Sequence, residues 1–488
     1  MFLYSSEKVY QLDQRAMKDD CRTSQQLMAR AGEAVWTSLQ QALPKLDKVT
    51  LFAGAGNNGG DTFCVACLAL QQQVEVNLFF VGDRQRQSGA STYFTESFLD
   101  AGGVIQGWNG ELPDSDVIID GLLGIGIQRD LDPSWQNLVQ TINSSDAYRV
   151  AIDIPSGLNA DTGVAMPCAI KADLTVSFIG RKLGCYLADG ADFCGDRVFD
   201  NLGVSTHVYQ QVDPDVEVLS DQSVSVPVRN KNSFKNQFGH ILIVGGARNM
   251  SGACRLAGMA ALRTGAGLVS ICVHSDNYDS AVSSSPDLMV YSWEELEAAL
   301  ERASVIVIGP GLGQSLQAHT LMSRLKNTDL PMVIDADALQ VGFLEDLKTG
   351  QTVITPHPGE AARLLGTTSK EVQQNRPLML KKLCDRWPGV TTVLKGAGTL
   401  VGQSDQTLSL CPYGHAGMAV AGMGDVLSGI VAGLMGQGLE PLQAAKLGVV
   451  IHSRAAEAYP NTAHPHSLIA SDVIEKIGSV LPRNEVYC

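Results

Sequence analysis

Toward the end of the chain stands Gly422-Met423-Gly424-Asp425, preceded by Gly414-His415-Ala416-Gly417. Glycines permit tight turns and a close approach of backbone to a ligand. Val426, Leu427, Ile430, Val431 and Leu434 follow at helical spacing. A helix starting here turns its free N–H groups toward the loop, which makes an anion site. Asp425 lies at that helix start, beside any bound phosphate. A carboxylate there is a candidate general base for phosphoryl transfer.

The first half carries a second cluster. Gly54-Ala55-Gly56-Asn57-Asn58-Gly59-Gly60-Asp61 follows the apolar run Val49–Ala53 and opens a helical pattern, as a phosphate-cradling turn requires. It is not a GxGxxG motif, and it lacks the Lys-Ser/Thr pair of a P-loop. Asp120 ends the run Val117-Ile118-Ile119, and Asp153 ends Val150-Ala151-Ile152, with Ser156 three residues on. Ligands of parallel sheets bind outside the carboxyl ends of the strands. Asn58, Asp120, Asp153 and Ser156 would therefore converge, and their oxygens suit a hard cation. The plainer alternative is that Asp120 and Asp153 cap turns.

The elements that must position these residues alternate between strand and helix patterns, which implies α/β architecture with mostly parallel sheets. Val74–Val81 belongs to the first series. A second series runs through Ile241–Val244, Leu268–Val273, Val305–Ile308, Met332–Asp335, Val353–Thr355 and Val390–Leu394. Between the two, residues 210–236 are polar, carry Pro214 and Pro227, and break the rhythm. Two domains are expected, 1–220 and 225–488. A chain of 488 residues exceeds one ordinary core. The net charge of −15 argues against a nucleic-acid partner. No apolar run is long enough for a membrane span. The N-terminus has no basic and apolar leader, and the 11 scattered cysteines suit a reducing cytoplasm. Cys64-Val65-Ala66-Cys67 sits in an apolar helical pattern without a second pair, so core cysteines are expected there rather than zinc or redox chemistry.

In the second half, further loops follow strands: Gly245-Gly246-Ala247-Arg248, Gly309-Pro310-Gly311-Leu312-Gly313, Asp335-Ala336-Asp337, Thr355-Pro356-His357-Pro358-Gly359-Glu360 and Lys395-Gly396-Ala397-Gly398-Thr399. Singly, each has a plain reading. His357 could cap a turn, Asp335 and Asp337 could be an N-cap and a surface charge, and Lys395 could be a solvated strand end. His464 and His466 read as surface residues of a Pro-flanked loop.

Together these motifs resemble a known pairing. Gly56-Asn57-Asn58-Gly59-Gly60-Asp61, Asp120-Gly121-Leu122-Leu123-Gly124-Ile125-Gly126 and Asp153-Ile154-Pro155-Ser156-Gly157, in this order, resemble the YjeF N-terminal domain, which covers about residues 1–215 here and implies a Rossmann-like three-layer sandwich. The second-half set resembles the YjeF C-terminal domain over about 225–485, a ribokinase-like three-layer sandwich. The resemblance implies a bifunctional repair enzyme for NADHX and NADPHX, nicotinamide cofactors hydrated at C6 of the ring. The first domain would be an isomerase interconverting the R and S epimers. The second would be a lyase dehydrating the S form with ADP, giving AMP and phosphate.

Carried over residue by residue, Asn57, Asn58, Gly59, Gly60, Asp61, Gly124, Ile125, Gly126, Ile127, Gln128, Arg129 and Asp130 would bind the hydrate in the epimerase. Asp153 would bind it too and act as acid/base at C6. Asn58, Asp120 and Ser156 would ligate K⁺. In the dehydratase, Ala253, Gly313, His357 and Asp425 would contact the hydrate. Lys395, Gly396, Ala397, Gly398, Thr399 and Gly424 would hold ADP with Mg²⁺, and Asp425 would be the base. The resemblance also suggests a homotetramer in the cytoplasm. One departure stands out: Thr62 occupies a place where the family often has Gly, which crowds the turn. The rival reading is a ribokinase-like small-molecule kinase with a non-catalytic N-terminal binding domain.

Overall fold

A computed structural model of the chain describes residues 1–127, 129–221, 225–347, 350–460 and 462–482. Two compact units form, Phe2–Val216 and a second from Glu217 onward.

In the first unit, the described residues build a parallel sheet in the order Ile105–Gly107, Glu75–Phe80, Lys48–Ala53, Val117–Gly121, Tyr148–Ile152, Leu174–Phe178 and Asp196–Asp200. Val117, Ile118 and Ile119 are fully buried, because a parallel strand covered by helices on both faces must be apolar throughout rather than alternating. The helices Ser24–Ala42 and Asn57–Gln71 help cover the sheet. From Lys48–Ala53 the chain builds first toward one edge and then toward the other. The loops after Ala53 and Gly121 therefore part at the topological switch point, where such sheets bind ligands.

The second unit repeats the principle. Its sheet runs Leu408–Cys411, Thr399–Gly402, Thr391–Leu394, Thr352–Ile354, Met332–Ile334, Val305–Ile308, His240–Val244, Leu268–Val273 and Met289–Ser292. All neighbours are parallel except the hairpin formed by the first three named. The switch point lies between His240–Val244 and Val305–Ile308, where Gly245-Gly246-Ala247 faces Gly309–Gly313. Two helices, Ser251–Thr264 and Met423–Gly436, cross closely because small residues line their seam. A β-carbon at Gly429 would stand 2.0 Å from the carbonyl oxygen of Ala257. This approach brings Ala253 and Asp425, each in a first helical turn, to the same end of the sheet.

Several strands were not legible as such: Leu174–Phe178, Asp196–Asp200, Met289–Ser292 and the hairpin partners Thr399–Gly402 and Leu408–Cys411. The fourth run expected as a strand in the first half reaches Ile154, past Asp153, but the strand stops earlier. Tyr148–Ile152 is strand, whereas Asp153 turns out with φ +67.

Candidate functional sites

In the first unit, a cavity of about 870 Å³ opens at the switch point. Asn57, Asn58, Asp61, Gly124, Ile125, Gly126, Ile127, Arg129, Asp130 and Asp153 line it. Gln128 lies outside the described residues. Gly59 and Gly60, expected to bind with them, do not line the cavity. They sit in the helix at positions of close packing, where a β-carbon on Gly60 would meet the Met28 thioether at 2.6 Å.

Beneath the cavity floor lies an oxygen-rich knot. Asp120 is 1% exposed. It accepts hydrogen bonds from the Ser156 amide at 2.7 Å, the Ser156 hydroxyl at 2.5 Å and the Leu122 amide at 3.2 Å. Burial raises its carboxyl to about 6 against the lowering effect of these bonds. Asn58 donates its amide to the carbonyls of Leu123, at 3.0 Å, and Ile152, at 2.8 Å, which leaves its own carbonyl oxygen on the Gly124 side. Asp120 thus does cap a turn, and it does so within a set of buried oxygens.

The cavity wall holds residues the sequence motifs did not single out. Lys182, 1% exposed, pairs with the Asp153 carboxylate and donates to the Phe178 carbonyl at 2.9 Å. The Phe178 amide also donates to Asp153, at 3.1 Å. Asp13, from the helix Ser6–Asp19, and Asp61 face the same cavity. Burial pushes Asp13 up to about 6 and Asp61 well above the usual carboxylate range; in both, Lys182 lowers and Asp153 raises. Lys182 follows the strand Leu174–Phe178, so reading that strand would have exposed it by the same strand-end logic. Asp13, adjacent to buried Leu12 on an amphipathic helix, reads as a solvated face. Thr62 does not open the turn. Its hydroxyl donates to the Asn58 carbonyl at 2.8 Å and packs on Gly121, whose missing side chain takes up the crowding.

The second unit centres on a buried ion pair. Lys395 Nζ lies 2.7 Å from Asp335 Oδ1 and 3.8 Å from Glu360 Oε2. Ser428 Oγ donates to Asp335 Oδ2 at 2.7 Å. Burial alone would raise the Asp335 carboxyl, but Lys395 and the hydrogen bonds outweigh it and hold it below the usual range. Burial likewise disfavours the Lys395 ammonium, yet Asp335 and Glu360 keep its pKa raised. Lys395 is therefore no solvated strand end, and Asp335 makes no side-chain cap. Asp337, read as a surface charge, accepts the Gly313 amide at 2.8 Å.

Asp425 stands in the first turn of Met423–Gly436, after Gly422 at φ +89. Burial, then the negative charge of Asp335, pushes its carboxyl up to about 7, with Lys395 opposing. Glu360 is also raised to about 7, chiefly by burial. A β-carbon on Gly424 would stand 3.0 Å from Lys395 Nζ, so the ammonium and the free N–H groups of the helix address one space. Ala253 borders Gly311 on its other side. His357 caps the helix Pro358–Leu365: its Nδ1 accepts the Gly359 amide at 3.0 Å, while its Nε2 lies 3.3 Å from Glu360. Burial and Lys395 lower its pKa, which favours the neutral ring.

Two supports escaped the motif reading. Arg376, 2% exposed, donates to the carbonyls of Leu394 at 3.1 Å, Lys395 at 3.4 Å and Ala397, and so holds the loop Lys395–Thr399. An arginine opening a helix ordinarily reads as surface. His452 packs near Lys395, and burial lowers its pKa to about 4. His464 and His466 are exposed, as expected. Among the described residues, no cluster of three or more His, Cys, Asp or Glu side chains could hold a metal, and no helix is long and apolar enough to cross a membrane.

A ribokinase-like sheet with a helix-start carboxyl in one unit and a Rossmann-like sheet with a carboxylate-lined cavity in the other define a two-site α/β enzyme. Residues 24–184 match the model of the YjeF-related protein N-terminus, and residues 241–479 match that of NAD(P)H-hydrate dehydratase. The chain is 37% identical to the bifunctional NAD(P)H-hydrate repair enzyme of Coxiella burnetii, covering 96% of this chain and 97% of the relative. It is 39% identical to that of Escherichia coli over 94% and 90%. Among solved structures, the ADP/ATP-dependent NAD(P)H-hydrate dehydratase of Bacillus subtilis, co-crystallised with ATP/Mg²⁺, superposes with a TM-score of 0.50 at 28% identity, covering 55% of this chain and 98% of that one. The chain belongs to the family of bifunctional NAD(P)H-hydrate repair enzymes.

Proposed function

We propose that residues 225–488 dehydrate the S epimer of NADHX or NADPHX with ADP, and that residues 1–220 interconvert the R and S epimers. The observation that carries the reading is Asp425, a carboxyl poised near neutrality at a helix start and facing Lys395. A base works best when its pKa lies near the working pH.

In the dehydratase, Asp425 takes the proton from the C6 hydroxyl. The hydroxyl oxygen attacks the terminal phosphorus of ADP, and AMP leaves. Lys395 and the N–H groups at Gly424 stabilise the charge on the transferring group, with Lys395–Thr399 cradling the nucleotide. The phosphate ester then leaves far more readily than hydroxide would, and loss of the C5 proton restores the dihydropyridine ring. Ala253, Gly313 and His357 contact the hydrate. Mg²⁺ would accompany the nucleotide and neutralise part of its charge.

In the epimerase, the cavity lined by Asn57, Asn58, Asp61, residues 124–130 and Asp153 binds the hydrate, and Asp153 moves the proton at the C6 hydroxyl. The oxygens of Asn58, Asp120 and Ser156 fit a K⁺ ion in type: a carboxylate, a hydroxyl and an amide carbonyl that accepts no hydrogen bond from the described residues. When bound, K⁺ would offset the burial of the Asp120 charge and stiffen the floor. The enzyme acts in the cytoplasm as a homo-oligomer. The test is incubation of mixed hydrate epimers with ADP or ATP. Full recovery of the reduced-nicotinamide absorbance, with AMP (or ADP) and phosphate as products, is expected. A stable phosphorylated product would overturn the reading in favour of a kinase.

A further inference from the structure

Asp61 is 8% exposed, lines the cavity, and its carboxyl accepts no hydrogen bond from any described residue. It lies one helical turn beyond Asn58, so the two share a face of the helix Asn57–Gln71. The Lys182 ammonium, which lines the same cavity, is spent on Asp153 and the Phe178 carbonyl. A buried carboxylate with no cation and no donor is costly, and such a group keeps its proton instead. Two neighbouring carboxyls add to this: Asp153 and Asp13 repel a charge on Asp61, and Lys182 offsets them only in part. Cys64, one turn further along the same helix, is buried and held as a thiol. One wall of the cavity thus offers Asp153, paired with the Lys182 ammonium, and a second offers Asp61, a buried carboxyl that no described donor meets.

The chemistry of the hydrate gives this pair a use. Carbon C6 bears a hydroxyl and is bonded to the ring nitrogen N1, so it is a carbinolamine. Inverting it requires breaking one bond at C6 and remaking it on the opposite face. We propose that Asp61 is the acid that protonates N1 as the ring opens; the assignment rests on the epimerase reading above. The Asp153 carboxylate removes the hydroxyl proton, the O–H electron pair becomes the second C6–O bond, and C6–N1 breaks. The electron pair of that bond passes to N1, which takes the proton of Asp61. Rotation about C5–C6 presents the other face of the aldehyde. N1 attacks it, Asp61 recovers its proton, and Asp153 returns a proton to oxygen. Atoms, electrons and protonation states all balance, with no co-reactant.

The test uses the full chain carrying Asp61→Asn, given each hydrate epimer separately. Dehydration of the S epimer with ADP should proceed at the wild-type rate. Consumption of the R epimer should fall about 10²–10⁴-fold in kcat, with a far smaller change in KM. R-epimer turnover at the wild-type rate would overturn the assignment, and so would a raised KM with unchanged kcat, since either makes Asp61 at most a binding group. Loss of the fold would overturn it as well. Asn is neutral and of equal size, so unfolding would mean that an ionised carboxylate had been holding the structure. Wild-type protein that leaves the R epimer untouched would instead sink the epimerase reading itself.

Discussion

Lys395 Nζ lies 2.7 Å from Asp335 Oδ1 at a position where Asp335 is 1% exposed. The pair does two things. It neutralises a buried carboxylate, and it fixes the ammonium beside Gly424 and Asp425, where a transferring phosphoryl group would sit. Lys395→Met should therefore cost stability as well as activity. Leaving one member of a buried pair uncompensated costs about 3–5 kcal/mol, and the double variant Lys395→Met/Asp335→Asn should recover most of it. Urea unfolding of the three variants measures this. The pH sign is also fixed. Asp335 is held below its unfolded value, so its contribution is present above the unfolded pKa and lost as pH falls through the folded one. Without Lys395 that acid-side loss should disappear.

Asp425→Asn should lower dehydration about 10²–10⁴-fold and leave ADP binding and epimerisation intact. In the wild type, the base form must be ionised, and its carboxyl titrates at about 7. The dehydration rate should thus fall as pH drops below about 7. Because Lys395 lowers this pKa, Lys395→Met should move the remaining activity's acid limb to higher pH. A pH–rate profile of the S epimer checks both, and a limb near the ordinary carboxylate value would sink the assignment.

Arg376 makes a separate prediction. Its guanidinium donates to three carbonyls of the strand end and loop from Leu394 to Ala397. Arg376→Leu should loosen that loop and raise KM for ADP while the S-epimer KM changes little. A charge-assisted hydrogen bond is worth about 1.5–3 kcal/mol, so a rise of about tenfold or more is expected. Isothermal titration with ADP measures it.

Motifs made of loops at strand ends were legible because glycine, proline and carboxylate at such places have few other uses. Asp120, Asp335 and Lys395 were visible in this way, and Asp425 by its place at a helix start after glycines. What stayed hidden depends on tertiary approach. Lys182 and Arg376 are long cations whose burial is decided by partners far off in the chain, Asp153 and the Leu394–Ala397 backbone. Sequence spacing holds no record of those partners. Gly59 and Gly60 sat inside a binding motif, yet they do not line the cavity and pack closely against Gly54 and Met28. The edge strand Asp196–Asp200 and the hairpin strand Thr399–Gly402 were missed because sheet pairing overrides their weak intrinsic pattern.

The meeting of Thr62 and Gly121 gives a steric prediction. A β-carbon on Gly121 would stand 1.7 Å from Thr62 Oγ1 and 2.7 Å from the Asn58 carbonyl. Gly121→Ala should destabilise the first unit by about 1–3 kcal/mol, the usual cost of overpacking, and should abolish R-epimer consumption. Thr62→Ala in the same chain should restore part of both, because it removes the closer of the two clashes. Thermal unfolding of the single and double variants decides it.

The last prediction concerns the cation. Asp120, Ser156 and Asn58 form a buried oxygen set in which, among the described residues, the Asp120 carboxylate is met by hydrogen bonds from Ser156 and Leu122 and by no cation. Opposite charge nearby favours an ionised carboxylate, and burial disfavours it. An ion held by these oxygens should thus stabilise the first unit in proportion to its occupancy. Raising K⁺ at constant ionic strength, with a bulky organic cation as balance, should raise the melting temperature of that unit and speed R-epimer consumption. In Asp120→Asn the site loses its one formal charge, so both responses should vanish while S-epimer dehydration continues. Equal stimulation by K⁺ in wild type and Asp120→Asn would place the cation elsewhere.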